Sequence, residues 1–137
     1  MAKKIKTILL IDDDEATNFI HRIIIDETGI TEKIDTLLNG KEGLARLTAL
    51  DKEDNGFTNF PDIIFLDLNM PLMDGWEFLD AYSKLVGDRN CNTKIFILST
   101  SINPDDQLKS KQYPVVAQYL PKPLTNELLE EIAMKYF

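Results

Sequence analysis

The stretch Ile5–Ile11 is a largely apolar run that ends abruptly in three consecutive acids, Asp12, Asp13 and Asp14, and this junction constrains the fold more than any other feature of the chain. A buried strand that runs straight into like charges needs an end where polar groups can gather. An open parallel sheet supplies one, because its ligand crevice lies beyond the carboxyl ends of the strands. The same juxtaposition recurs along the sequence. The apolar run 63–66 is closed by Asp67, the run 94–98 by Ser99 and Thr100, and the run 115–120 by Pro121, Lys122 and Pro123.

Between these runs lie segments of helical period, which makes a series of βα units. Ala16, Phe19, Ile20, Ile23 and Ile24 recur at helix spacing and predict the inner face of a first helix that Gly29 ends. A weaker strand is expected at 33–38. Asn39 and Glu42 then predict a helix start in which each side chain caps the other's backbone, with Leu44 and Leu47 facing inward. Residues 51–59 are polar and without clear period, so they read as a long surface loop. Trp76, Leu79, Tyr82 and Val86 mark the next helix after Asp74 and Gly75. Asn103, Pro104 and Asp105 open a short helix limited by Pro114, and Leu128, Leu129, Ile132, Ala133 and Tyr136 stripe a terminal one. The five strand–helix pairs predict an α/β chain, doubly wound as (βα)5 around a parallel five-stranded sheet.

A length of 137 residues suits one domain, 1–137. The net charge of -8, with no basic stripe, argues against nucleic acid and anionic membranes as partners and favours metal cations and basic surfaces. Cys91 is the only cysteine, which excludes an intrachain disulfide and a thiolate zinc site. It reads as a small residue near a strand start. Met1 to Lys6 carries basic residues, but the apolar run Ile8 to Ile11 is too short for a leader or a membrane span. The expected address is the cytoplasm. His21 reads as a surface or boundary histidine.

Clustered carboxylates at strand ends suit a hard divalent cation such as Mg²⁺, which takes oxygen ligands and keeps several waters. Without a cation they repel, and at least one should hold its proton to higher pH. Any single Asp here could be a solvated loop residue. Four from two separate junctions are harder to explain that way, and Lys122 between Pro121 and Pro123 has a restrained backbone that aims its amine.

The segments Ile8-Leu9-Leu10-Ile11-Asp12-Asp13-Asp14, Phe65-Leu66-Asp67-Leu68-Asn69-Met70-Pro71, Leu98-Ser99-Thr100 and Lys122-Pro123 together resemble receiver domains of response regulators over nearly the whole chain. The resemblance implies a flavodoxin-like fold with sheet order 2-1-3-4-5. It implies that Asp67 is the phosphoacceptor, taking a phosphoryl group from a sensor histidine kinase or phosphotransfer protein, and that the domain is not an enzyme beyond its own phosphoryl transfer and dephosphorylation. Asp12, Asp13, Asp67 and the backbone carbonyl of Asn69 would hold Mg²⁺ or Mn²⁺, with Asp13 a direct ligand, Asp12 direct or through water, and Asp14 a bystander. Lys122 and Ser99 would engage the phosphoryl oxygens, with neighbouring Thr100 leaving a one-residue ambiguity. The Asn69 side chain and Ser101 would tune phosphoryl lifetime, and Ser99 with Tyr119 would form the switch. The face made by the short fourth helix, the fifth strand and the last helix would carry the signal to a downstream protein or to a second copy as a homodimer. The chain stops where its last helix stops, so no output domain is expected. The loop at 51–59 and the Ser-Thr-Ser-Ile-Asn-Pro stretch are more weakly similar to stand-alone receivers paired with phytochrome-type or hybrid kinases.

Three other readings compete. A receiver-like interaction module that works without phosphorylation would keep the fold, though every required group is present here. A metal-dependent phosphatase with an aspartyl nucleophile would usually carry a second Asp where this chain has Asn69. A helix-loop-helix calcium site would need a glycine turn and a distal glutamate that Asp12 to Asn18 lacks.

Overall fold

The apolar runs 8–11, 63–66 and 95–98 are buried throughout, which is why they show no strict alternation and why they become interior parallel strands. A computed structural model describes residues 5–53, 56–100 and 103–137. Its elements are β1 (Ile5–Ile11), α1 (Glu15–Thr28), β2 (Thr31–Leu37), α2 (Gly40–Glu53), β3 (Ile63–Asp67), α3 (Gly75–Val86), β4 (Lys94–Ser99), α4 (Pro104–Ser110), β5 (Val116–Pro121) and α5 (Asn126–Tyr136). The strands form one five-stranded sheet in the order β2-β1-β3-β4-β5, and every neighbouring pair is parallel. This is the doubly wound, flavodoxin-like arrangement expected from the sequence.

Alternate residues of each strand feed two cores. Leu9, Ile11, Ile64, Leu66, Ile95 and Ile97 pack with Leu47 of α2 and with Phe78, Leu79 and Tyr82 of α3. Ile8, Leu10, Ile63, Phe65, Phe96 and Leu98 pack on the opposite face with Ile25 of α1 and with Leu129 and Ile132 of α5. Burying each such side chain contributes about 1.5–3 kcal/mol before chain entropy is counted, so the sheet and four of its helices close as one unit.

Several local expectations are corrected. Residues 51–53 continue α2, and Phe57 is buried against the core, stacked edge-on to Phe60 at 4.8 Å. Arg89 covers the Phe57 ring and forks onto the Asp51 carboxylate at 2.8 and 3.2 Å, so this segment is anchored rather than a free polar loop. Asn39 does cap α2 through the Glu42 amide, but Glu42 answers the Asn39 side chain and not its backbone. The reciprocal capping box is instead at Asp74 and Glu77, at the start of α3. The fourth helix is short as expected. Together with Tyr113 in the turn that follows, it is tied to α3 by a Trp76–Tyr113 ring stack at 5.7 Å, by Lys109 over the Trp76 ring, and by the Tyr113 hydroxyl donating to Asp80 at 2.8 Å.

The largest correction concerns α1. Its buried residues are Asn18, His21 and Ile25, whereas Phe19, Ile20 and Ile23 are 64%, 51% and 43% exposed. Asp14 fixes where the helix begins by accepting the Ala16 amide and the Thr17 hydroxyl, both at 3.0 Å. Gly29 ends it in the left-handed region at φ 67°. With that frame the helix turns polar side chains toward backbone groups at the strand ends, which must be paired when buried, and its apolar stripe faces outward. Ile25→Ala should therefore lose about 2–5 kcal/mol in urea unfolding. Ile23→Ala should change stability by no more than about 0.5 kcal/mol, and comparable losses from both would place α1 in the rotation the sequence stripe suggested.

Candidate functional site

The site is built where the hydrogen-bond ladder runs out. Beyond β1, the Asp12 amide donates to the Leu37 carbonyl at 3.1 Å, and the Asp12 carboxylate accepts the Asp14 amide at 3.0 Å. These bonds hold the acid loop against the end of β2. Beyond β3, residues 68–74 lead back into α3, whose Gly75 amide donates to the Leu68 carbonyl at 2.9 Å. A Cβ on Gly75 would sit 2.8 Å from the Asp67 carbonyl oxygen and from Leu68 Cα, so the approach that fixes the acceptor loop requires glycine. Beyond β5, the Lys122 amide donates to the Ser99 carbonyl at 2.8 Å. The Lys122–Pro123 peptide is cis.

These three junctions bring the predicted residues together. One carboxylate oxygen from each of Asp12, Asp13 and Asp67 lies within 4.8 Å of the others. Lys122 Nζ donates to Asp12 Oδ2 at 2.6 Å and to Asp67 Oδ1 at 3.3 Å, with its side chain 12% exposed. Asp12 and Asp67 are buried, and Asp13 is exposed at the mouth. The donor set fits a hard divalent cation, because it is all oxygen, carries more negative charge than one ammonium offsets, and is open to water on the Asp13 side. Asp12, Asp13 and Asp67 are the residues that could hold it.

The electrostatics follow from burial. Desolvation pushes the Asp67 carboxyl above the usual range and the Asp12 charge adds to this, against the opposing pull of Lys122 and of a hydrogen bond from the Asn69 amide. One carboxyl of the cluster thus holds its proton to higher pH, as expected. Burial works to lower Lys122, but the hydrogen bond and charge of Asp12, with Asp67 behind it, outweigh that and raise it. His21 is not at the surface. It is 2% exposed, and its Nε2 accepts the Leu124 amide at 3.3 Å, so burial followed by the Lys122 charge lowers it.

Ser99 is buried at the end of β4, while Thr100 is exposed and lines a hollow of about 220 Å³ with Thr17, Ile20, His21, Lys122 and Pro123. Asn69 is exposed beside Asp67. Tyr119 is half-buried against the core and lines a separate hollow with Gln107, Ser110 and Lys111 of the α4 side. Ser101 lies outside the described residues. Sequence reasoning missed Asn18, His21 and Gly75; the signals were two polar side chains three apart within an apolar helix and an Asp-Gly pair at a helix start.

The chain belongs to the response regulator receiver domain family, whose sequence model matches residues 8–133. It is therefore a signalling domain of the two-component type, a phosphoacceptor and not a turnover enzyme. It is 32% identical over 123 residues to the probable methanogenesis regulatory protein FilR2 of Methanothrix harundinacea, covering 90% of this chain and 76% of that protein. It is 28% identical over 129 residues to the probable C4-dicarboxylate response regulator DctR of Halalkalibacterium halodurans, covering 94% of this chain but 50% of that relative. Among solved structures, a two-component response regulator from Cytophaga hutchinsonii superposes with a TM-score of 0.87 at 33% identity, over 97% of each chain. Among the described residues no helix is long and apolar enough to cross a membrane.

Because the folded state holds the Asp67 proton to higher pH than the unfolded chain does, it binds more protons in that window, and stability falls as pH rises through it. Asp67→Asn removes that cost. In metal-free buffer at pH 7 its urea midpoint should exceed that of the wild type, with the advantage shrinking as pH falls toward about 4. A lower midpoint at pH 7 would mean that the lost Lys122 contact outweighs relief of repulsion and desolvation.

Proposed function

We propose that the chain is a phosphorelay switch in which Asp67 accepts a phosphoryl group from the phosphohistidine of a sensor kinase or phosphotransfer protein. The observation that carries this reading is the single ammonium of Lys122 bridging Asp12 and Asp67 at the mouth of the strand-end crevice. An Asp67 carboxylate oxygen attacks phosphorus, the new O–P bond forms as the N–P bond breaks, and the electron pair returns to the donor's imidazole. Such transfers depend on positioning and charge stabilisation more than on covalent catalysis by the protein. Lys122 swings its hydrogen bonds onto the phosphoryl oxygens, and the Ser99 hydroxyl donates to one of them. A divalent ion, Mg²⁺ or Mn²⁺, held by Asp12, Asp13, Asp67 and the Asn69 carbonyl, would neutralise phosphoryl charge when bound. The Asn69 side chain, at the rim, and Ser101 would set how readily water reaches the acyl phosphate.

The corrected rotation of α1 supplies a docking surface for the donor. Ile20 and Thr17 line the hollow that reaches Lys122 and Thr100, and exposed Phe19 and Ile23 flank Ile20 on the same helix. An apolar patch of this kind beside a reactive group suits a protein partner. On the other side, Ser99 and Tyr119 would pass the change to the face formed by α4, β5 and α5, which a downstream protein or a second copy would read.

Incubation with acetyl phosphate and Mg²⁺ should add one phosphoryl mass to the intact protein, and the adduct should vanish with Asp67→Asn or a chelator. No adduct with any donor or metal would favour an interaction module that works without phosphorylation. Ile20→Asp should lower transfer from a protein donor, relative to transfer from acetyl phosphate, by about tenfold. An unchanged ratio would move the docking surface elsewhere.

A further inference from the structure

The inner face of α1 carries two polar side chains that the chemistry above leaves unused. Asn18 and His21 are each 2% exposed, and three residues apart they lie on one side of the helix. Asn18 Nδ2 donates to the Asp12 carbonyl at 2.9 Å and to the Leu37 carbonyl at 3.5 Å. Its Oδ1 is buried without a partner. His21 Nε2 accepts the amide of Leu124, a residue that is itself 1% exposed. These bonds leave the helix, those from Asn18 for the ends of β1 and β2 and that from His21 for the loop after β5. Asp12 begins the acid loop, and Leu124 lies two residues beyond Lys122.

An interior amide with a stranded oxygen is poor packing material, since leucine would fill similar space without an unpaired acceptor of its own. What Asn18 adds is donation to two carbonyls where β1 and β2 end. The bond from His21 likewise does more than fill space, because without it the Leu124 N–H would be buried and orphaned, and the loop carrying Lys122 would lose its tie to α1.

We infer that Asn18 and His21 are positioning residues for phosphoryl transfer, Asn18 orienting the Asp12–Asp13 loop for the divalent cation and His21 holding the Lys122–Leu124 loop so that Lys122 Nζ reaches Asp12 and Asp67. Neither touches the reacting atoms. The inference rests on the receiver chemistry proposed above and extends it by splitting control of that site between two side chains of one helix face.

The split is the test, made on the full chain with Asn18→Leu, Asn18→Ala, His21→Leu and His21→Gln. Mn²⁺ binding followed by electron paramagnetic resonance, with no phosphodonor present, should weaken about tenfold in the Asn18 variants and stay within about twofold in His21→Leu. Labelling by acetyl phosphate should show the complementary pattern. The Asn18 defect should be recovered at saturating Mg²⁺, whereas His21→Leu should stay about tenfold slow there, and His21→Gln, whose Oε1 can accept the Leu124 amide, should return most of the rate. Hydrogen exchange at the Leu124 amide should be faster in His21→Leu and slowed again in His21→Gln. A purely structural role would lower the thermal midpoints and leave metal affinity and saturated rate either untouched or reduced together. That result, or His21→Gln behaving as His21→Leu, overturns the inference. If the wild type takes up no phosphoryl group, the receiver reading fails on its own, while Mn²⁺ affinity and Leu124 exchange still decide the positioning roles.

Discussion

The structure depends on one ammonium group placed between two buried carboxylates. Lys122 Nζ meets Asp12 at 2.6 Å and Asp67 at 3.3 Å, joining the ends of β1 and β3 to the loop after β5. Taking such charges out of water costs several kcal/mol per ion, and the pairing offsets this only when the geometry is good and the other lone pairs are hydrogen-bonded. The amides of Asp14 and Asn69 do that for Asp12 and Asp67 respectively. With Asp13 added, the cluster remains net negative. A negative cluster repels an incoming phosphoryl group, and a divalent cation at these carboxylates would offset that repulsion. On the proposed transfer, phosphoryl oxygens on Asp67 would compete with both carboxylates for Lys122, so the chemistry would rearrange a contact that links three strand ends.

The surroundings differ in how firmly they hold that contact. On the α3 side the fit is tight: the capping box at Asp74 and Glu77 fixes the helix start, and Gly75 lets it approach the Asp67 backbone more closely than any other residue could. On the α1 side, buried hydrogen bonds reach both Asp12 and Leu124. The α4 side is lighter. That helix has seven residues, and besides β5 it is secured by a ring stack, a lysine over an indole and one phenol hydrogen bond. Burial and then Asp80 push the Tyr113 hydroxyl up to about 12, so that phenol stays a donor at any physiological pH. On the proposed switch, rearrangement at Lys122 and Ser99 would meet least resistance toward α4.

How much of this was legible in the sequence depends on whether a residue's environment is set locally. The strands were legible because burial on both faces leaves continuous apolar runs, and the acids and Lys122 were legible because a parallel sheet gathers whatever follows those runs. Gly75 stood in view, but its reason is a contact with Asp67 and Leu68 across a turn that spacing cannot measure. Phe57 looked like part of a polar loop because its cover comes from Arg89, far along the chain. The α1 face was misjudged for a deeper reason. Its apolar residues outnumber those any single stripe can bury, and periodicity reports where a stripe is, not which way it points.

That helix departs from the usual rule that the apolar face turns inward. Here Ile25 and the half-buried Ile24 suffice for packing, and the rest of the inner face goes to Asn18 and His21. The inversion has a physical basis. The first helix lies over the carboxyl ends of β1 and β2, where carbonyls and amides have left the ladder and are cut off from water, and an unpaired group there costs about 1–3 kcal/mol. Polar side chains on the inner face answer those groups, and of the apolar residues displaced outward Ile20 lines the hollow beside Lys122. Their exposure is a liability for a free protein, one that a net charge of -8 tempers through repulsion between like-charged surfaces. On the proposed function, the same acidity would favour a partner with a basic or neutral rim at that patch, and one helix would both brace the reactive site and help select what approaches it.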